Sequence, residues 1–215
     1  MIGFYNYTVI LTYISLLISV QGIYFATDGQ LLPAMVCLLT SGVCDMFDGM
    51  IARTRKKSTD EEKRFGIQLD SLCDIVCFGV LPAVVGVKAM TVYEMNSVMR
   101  VTACVAGGLF VLCALIRLAY FNVTEETRQA TEGGRRKAYA GVPVTTVALV
   151  FPLVYALMPF VDMTIAMWAY TALLVVSAVC FVLPVRVPKP QGVGKCVMGV
   201  IGLAEVGLLF WQLFT

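Results

Sequence analysis

Asp45-Met-Phe-Asp-Gly-Met-Ile-Ala-Arg53 and Gly66-Ile-Gln-Leu-Asp-Ser-Leu-Cys-Asp74, separated by a largely charged spacer at 54–65, set four carboxylates into sequence otherwise apolar enough to be membrane. Ionisable groups inside spanning helices are costly and mark a function by default. On a helix, Asp45, Asp48, Gly49 and Ala52 fall at i, i+3, i+4 and i+7, and Gly66, Asp70 and Asp74 at i, i+4 and i+8; each set is one face. With 54–65 as the turn, the two helices are antiparallel neighbours. Asp45 then lies roughly 12 Å from Arg53, and Asp74 roughly 12 Å from Gly66, at about 1.5 Å per residue. Asp45 is expected opposite Asp74 and Asp48 opposite Asp70.

Four like charges this close do not all stay ionised without cations between them. Oxygen-only ligands select a hard divalent ion, Mg²⁺ or Mn²⁺, with room for two. The plainer reading is that the acids neutralise Arg53, Arg55, Lys56, Lys57, Lys63 and Arg64 at a helix mouth. That accounts for one or two of them. It does not account for a same-face set reaching two turns into apolar sequence beside the small residues Gly49 and Ala52.

The two stretches resemble the signature of the CDP-alcohol phosphatidyltransferases, D-x-x-D-G-x-x-A-R, a spacer, then G-x-x-x-D-x-x-x-D. Asp45, Asp48, Gly49, Ala52, Arg53, Gly66, Asp70 and Asp74 are all present. The spacer departs from the pattern, with twelve residues where the family usually has eight. Four more residues are about one helical turn, so helix phase survives and the departure concerns the tip of the hairpin.

The composition frames that site. Of 215 residues, 59% are hydrophobic and only 14% charged, which describes a polytopic membrane protein. The fold class expected is an all-α transmembrane bundle of about seven spans (six to eight), at 5–26, 30–53, 66–88, 97–122, 142–159, 162–184 and 193–214. The first span lacks a basic leader and a small-residue cleavage site, so it reads as a retained helix and not a signal peptide. One membrane-embedded catalytic domain over 1–215 is expected, with no soluble domain and no short-period repeat. With the N-terminus in the cytoplasm, every Lys and Arg except Lys88 and Arg100 falls on the cytoplasmic side. The positive-inside rule therefore makes this a multi-pass cell-membrane protein with a cytoplasmic N-terminus and active site. There a cytosolic nucleotide or amino acid can arrive; nucleic acid is not an expected partner.

Histidine is absent, which excludes His bases and His metal ligands and leaves acid–base work to carboxylates. The eight cysteines contain no C-x-x-C pair and nearly all lie in apolar spans, where a thiol acts as a small hydrophobe. Cys44 and Cys73 adjoin the carboxylates, so thiol reagents are expected to inhibit without either being a nucleophile.

Three further patches fall at the same level. The fourth span ends Arg117-Leu-Ala-Tyr-Phe-Asn122, where a lone arginine most often snorkels to the interface. The fifth opens Tyr139-Ala-Gly-Val-Pro143, whose Gly141 and Pro143 also suit a plain helix start. After the sixth comes Arg186-Val-Pro-Lys-Pro190, basic as the positive-inside rule supplies without catalysis. Together with Asp70-Ser-Leu-Cys-Asp-Ile-Val-Cys-Phe-Gly-Val-Leu-Pro-Ala83, these patches resemble the phosphatidylserine synthase branch of the family. The likeness covers most of 40–192, and Tyr120 stands where that branch often has Arg.

The resemblance implies transfer of the phosphatidyl group of CDP-diacylglycerol to the hydroxyl of L-serine, with release of CMP. It implies Asp45, Asp48, Asp70 and Asp74 as metal ligands and Asp74 as the base. It further implies CDP-diacylglycerol binding by Gly49, Ala52, Arg53 and Gly66, membrane lipids around the bundle, and a homodimer. The serine carboxylate needs a cation, for which Arg117, Arg186 and Lys189 are the candidates, with Asn122 as hydrogen-bonding neighbour. Glycerol 3-phosphate or inositol phosphate as acceptor is the nearest rival, and it wants a denser cationic pocket. A cation transporter wants acids spread through the membrane, whereas the only acid deep in another span is Glu205. A polar contact between helices or a subunit interface suits Glu205 as well as function does.

Overall fold

The computed structural model describes residues 3–4, 7–52, 59–131, 138–184, 186–188, 202, 204–209 and 211. Its elements run α1 (Ile10–Thr27), α2 (Leu31–Ala52), α3 (Asp60–Asp74), a π-helical stretch (Ile75–Val80), α4 (Leu81–Val92), α5 (Ser97–Thr131), β1 (Ala138–Ala140), α6 (Val147–Leu157), α7 (Met163–Val182) and β2 (Arg186–Pro188). Helix resumes at 202 and over 204–209. Among the described residues, five helices are long and apolar enough to cross a bilayer, and Val144–Phe160 is a shorter apolar one. The molecule is an α-helical multi-pass membrane bundle with one two-stranded ribbon. The expected seventh span, 193–214, falls largely outside the described residues.

Lipid supplies no hydrophobic drive between helices, so close backbone approach and hydrogen bonds must hold them together. The sequence provides both. On α1, Thr12, Ser15, Ser19, Gly22 and Ala26 are buried, a stripe of small side chains. A Cβ on Gly22 would stand 2.8 Å from Cys37 Cβ of α2, so only glycine permits this approach. Along the same seam Ser19 and Ser41 share a hydroxyl hydrogen bond of 2.7 Å, and Ser41 donates to Ser15 O at 3.2 Å. Gly42 on the adjoining side of α2 lies directly against Ala148 of α6.

The centre is aromatic. Phe110 of α5 packs on Phe151 and Phe181 with centroids 5.7 and 5.5 Å apart, and Phe151 meets Tyr170 edge-on at 5.1 Å. Tyr170 is buried, and its hydroxyl donates to Pro82 O at 2.9 Å over Gly86, which satisfies the one polar atom such a ring carries.

α3 corrects the expected hairpin. The spacer was expected to be turn throughout 54–65, but helix begins at Asp60. Thr59 accepts from Glu62 N at 3.2 Å while Glu62 Oε2 accepts from Thr59 N at 3.0 Å, a capping box that starts the helix before the apolar span does. The polar overhang of α3 then packs beside that of α5, where Arg64 pairs with Glu126 at 3.0 Å.

Candidate active site

α2 and α3 present the carboxylates to each other as the spacing requires. Asp45, Asp70 and Asp74 each offer one oxygen, and these oxygens all lie within 4.8 Å of one another. Asp48 stands beside them, next to Asp70, and its Oδ2 accepts from Thr12 of α1 at 3.4 Å. Asp48 is only 9% exposed. Carboxylates packed this closely in apolar surroundings repel one another unless cations lie between them. An oxygen-only set with this spread fits a hard divalent ion.

Each side of the cluster has its own support. The wall behind Asp74 is π-helical, beginning at the next residue. Cys77, Phe78 and Gly79 are buried there in succession, as are Leu81, Pro82 and Ala83 of α4, so the bundle encloses this stretch on more than one face. A Cβ on Gly79 would stand 2.9 Å from Ile75 Cδ1, the movable end of that side chain. Ser71, between Asp70 and Asp74, donates to Asn122 of α5 at 3.0 Å. Among the described residues, nothing lies within 4 Å of a Cβ placed on Gly66, one turn before Asp70. Gly49 and Ala52 close α2 near its polar end. Arg53 lies outside the described residues.

The basic patches converge. Arg117 does not snorkel: it is buried at 6% exposure, and its guanidinium donates to Gly141 O at 3.3 Å and Val142 O at 3.4 Å. The interface reading fails because the head group is enclosed in the bundle, with two of its N–H groups bonded to those carbonyls. β1 and β2 pair antiparallel with Ala140 opposite Arg186, so the segments after α5 and after α7 meet in one ribbon. Lys189 lies outside the described residues.

Four features lie beyond the sequence reading. Thr59 and Glu62 spell a capping box in the sequence itself. The hydroxyl set Thr12, Ser15, Ser19 and Ser41 looks like ordinary apolar-span filler until its partners are seen. Neither the π-helix nor the ribbon has a local signature.

The family model for CDP-alcohol phosphatidyltransferase matches residues 5–210. The chain belongs to that family. Members work with divalent metal ions, and Asp45, Asp70 and Asp74 form a group able to hold one. The chain is 28% identical over 182 residues to an archaetidylserine synthase of Methanothermobacter thermautotrophicus, covering 85% of this chain and 66% of that protein. It is 39% identical over 119 residues to a CDP-diacylglycerol–serine O-phosphatidyltransferase of Saccharomyces cerevisiae, covering 53% of this chain and 38% of that one. A protein of the same description from Helicobacter pylori is 28% identical over 139 residues, covering 65% of this chain and 52% of its own length. The chain thus spans less than two thirds of each of these relatives.

Proposed function

We propose that the chain transfers the phosphatidyl group of CDP-diacylglycerol to the hydroxyl of L-serine, giving phosphatidylserine and CMP. The observation that carries this is the joining of Asp45, Asp70 and Asp74 into one oxygen cluster with Asp48 at its edge. The serine in the names of the relatives supports the acceptor. We take residues 1–215 as a single membrane-embedded catalytic domain acting as a homodimer, with N-terminus and site facing the cytoplasm.

Asp45, Asp48, Asp70 and Asp74 would hold one or two Mg²⁺ or Mn²⁺ ions. Bound there, such ions supply positive charge to the diphosphate and to the departing CMP phosphate. The remaining work belongs to the chain. Asp74 takes the proton of the serine hydroxyl; the oxygen attacks the phosphorus that carries diacylglycerol; the bond from that phosphorus to the bridging oxygen breaks and CMP leaves with the electron pair. Gly49, Ala52 and Gly66 leave room for the nucleotide against the two helices, and Arg53 pairs with phosphate. Arg117, Asn122, Arg186 and Lys189 make up the acceptor side, where the serine carboxylate needs positive charge and a hydrogen-bonding amide. The acyl chains stay in the bilayer.

The test is CMP release by purified protein given CDP-diacylglycerol, a divalent metal and a panel of hydroxyl acceptors. L-serine is expected to release CMP, and glycerol 3-phosphate and inositol phosphate are not. Faster release with either phosphorylated acceptor moves the chain to another branch of its family and leaves the carboxylate chemistry standing.

A further inference from the structure

Arg117 lies on α5, five residues before Asn122, in a helix that continues to Thr131. At 6% exposure its charge is out of reach of bulk water, and its guanidinium carbon sits 5.7 Å from the centre of the Phe121 ring. Its Nη2 and Nε donate to two successive backbone carbonyls, those of Gly141 and Val142. Gly141 has φ +84, the left-handed region in which glycine is unstrained. A Cβ there would stand 3.0 Å from Arg117 Nε and 3.3 Å from its Cζ. One glycine therefore supplies both the bend and the space for the guanidinium.

That turn is a junction. Immediately before it, Ala140 of β1 pairs with Arg186 of β2. Immediately after it, Pro143 O accepts from Thr146 Oγ1 at 2.7 Å as the chain enters α6. Five residues on from Arg117 along α5, Asn122 holds Ser71 between two of the carboxylates. A single helix thus fastens the carboxylate hairpin through Asn122 and the ribbon junction through Arg117.

We infer that Arg117 is a positioning residue: by holding the Gly141–Val142 turn it sets the β1–β2 ribbon, and with it the backbone of Arg186, in register with the carboxylate site. Its part in acceptor recognition is then exerted through that turn, while Arg186 and Lys189 are left to meet the acceptor. Lysine cannot substitute, because a single ammonium lacks the planar fork that spans two consecutive carbonyls. The acceptor half of this inference rests on the serine-transfer reading; the holding of the turn does not.

Two measurements on Arg117→Lys, Gly141→Ala and the combined variant separate these claims. In the first, either single change is expected to raise the KM for serine about tenfold with the KM for CDP-diacylglycerol within about twofold, and the pair to be no worse than the worse single, as coupled neighbours behave. Multiplying effects, about a hundredfold in the pair, would mean that Arg117 meets the acceptor on its own and would overturn the inference. In the second, both changes are expected to speed amide hydrogen exchange over 138–142 and to leave α1 and α2 protected. Unchanged exchange at 138–142 overturns it too. If the wild-type protein releases no CMP with serine, the serine reading falls, and the exchange result alone decides whether Arg117 holds the turn.

Discussion

Ser71 Oγ donates to Asn122 Oδ1 across 3.0 Å, which fastens the turn of α3 lying between Asp70 and Asp74 to α5. The bond crosses from the helix that carries two of the clustered acids to one that carries none. Interhelical hydrogen bonds in membranes average about 0.6 kcal/mol, so its contribution to stability is modest and its effect falls on placement. Ser71→Ala and Asn122→Ala are each expected to lower stability by about 0.6 kcal/mol, with little further loss in the pair. Both should raise the Mg²⁺ concentration needed for half-maximal activity, because Asp70 and Asp74 then lose a restraint. A metal titration that superimposes on the wild-type curve would show that α3 is held without this bond.

The carboxylate cluster makes metal dependence a firm expectation. EDTA should abolish turnover, and Mg²⁺ or Mn²⁺ should restore it. Zn²⁺ should restore it poorly, since the chain contains no histidine and the clustered ligands are all oxygen. Undiminished CMP release in chelator-treated buffer would remove the metal from the scheme.

Asp74 and Asp45 should separate in their effects. Asp74→Asn, measured at saturating metal, should cut kcat by about 10²- to 10⁴-fold while CDP-diacylglycerol binding stays measurable, because a base acts only in the chemical step. Asp45→Asn and Asp48→Asn should weaken nucleotide binding as well, in a titration of CDP against each variant. Near wild-type turnover by Asp74→Asn would reassign the base.

The legible part of this protein was the part written in helical spacing. Asp45, Asp48, Asp70 and Asp74 could be placed from i, i+3 and i, i+4 intervals, because a helix converts sequence distance directly into direction. Within the spacer, helix begins at Asp60, ahead of the apolar span. What stayed hidden depended on partners far along the chain. For Arg117 the sequence left both an interface position and the acceptor carboxylate open, because its backbone acceptors, Gly141 and Val142, lie 24 and 25 residues away. The ribbon joins Ala138–Ala140 to Arg186–Pro188 across two helices, and neither segment alternates long enough to announce a strand. The π-helix after Asp74 leaves no mark in the hydrophobic periodicity, since the residues there and in α4 are buried on more than one face.

Glu205 gives the last prediction. It lies in the helical stretch 204–209, is 1% exposed, and neither carboxylate oxygen has a hydrogen-bond partner among the described residues. Its helix is apolar where it docks: Leu209 packs with Leu39 of α2 and Ala156 of α6, and Gly202 faces Leu149. A buried polar group without a partner costs about 1–3 kcal/mol, so removing it should stabilise the bundle. Glu205→Leu is therefore expected to raise the midpoint of thermal unfolding in detergent without loss of activity. Glu205→Gln should gain less, because the amide brings donors that find no more acceptors than the acid did. If Glu205→Leu instead lowers the midpoint, the carboxylate is satisfied by a polar group that is not among the described residues. Glu205→Gln would then sort the possibilities, retaining stability if that group donates a hydrogen bond and losing it if the group is a cation.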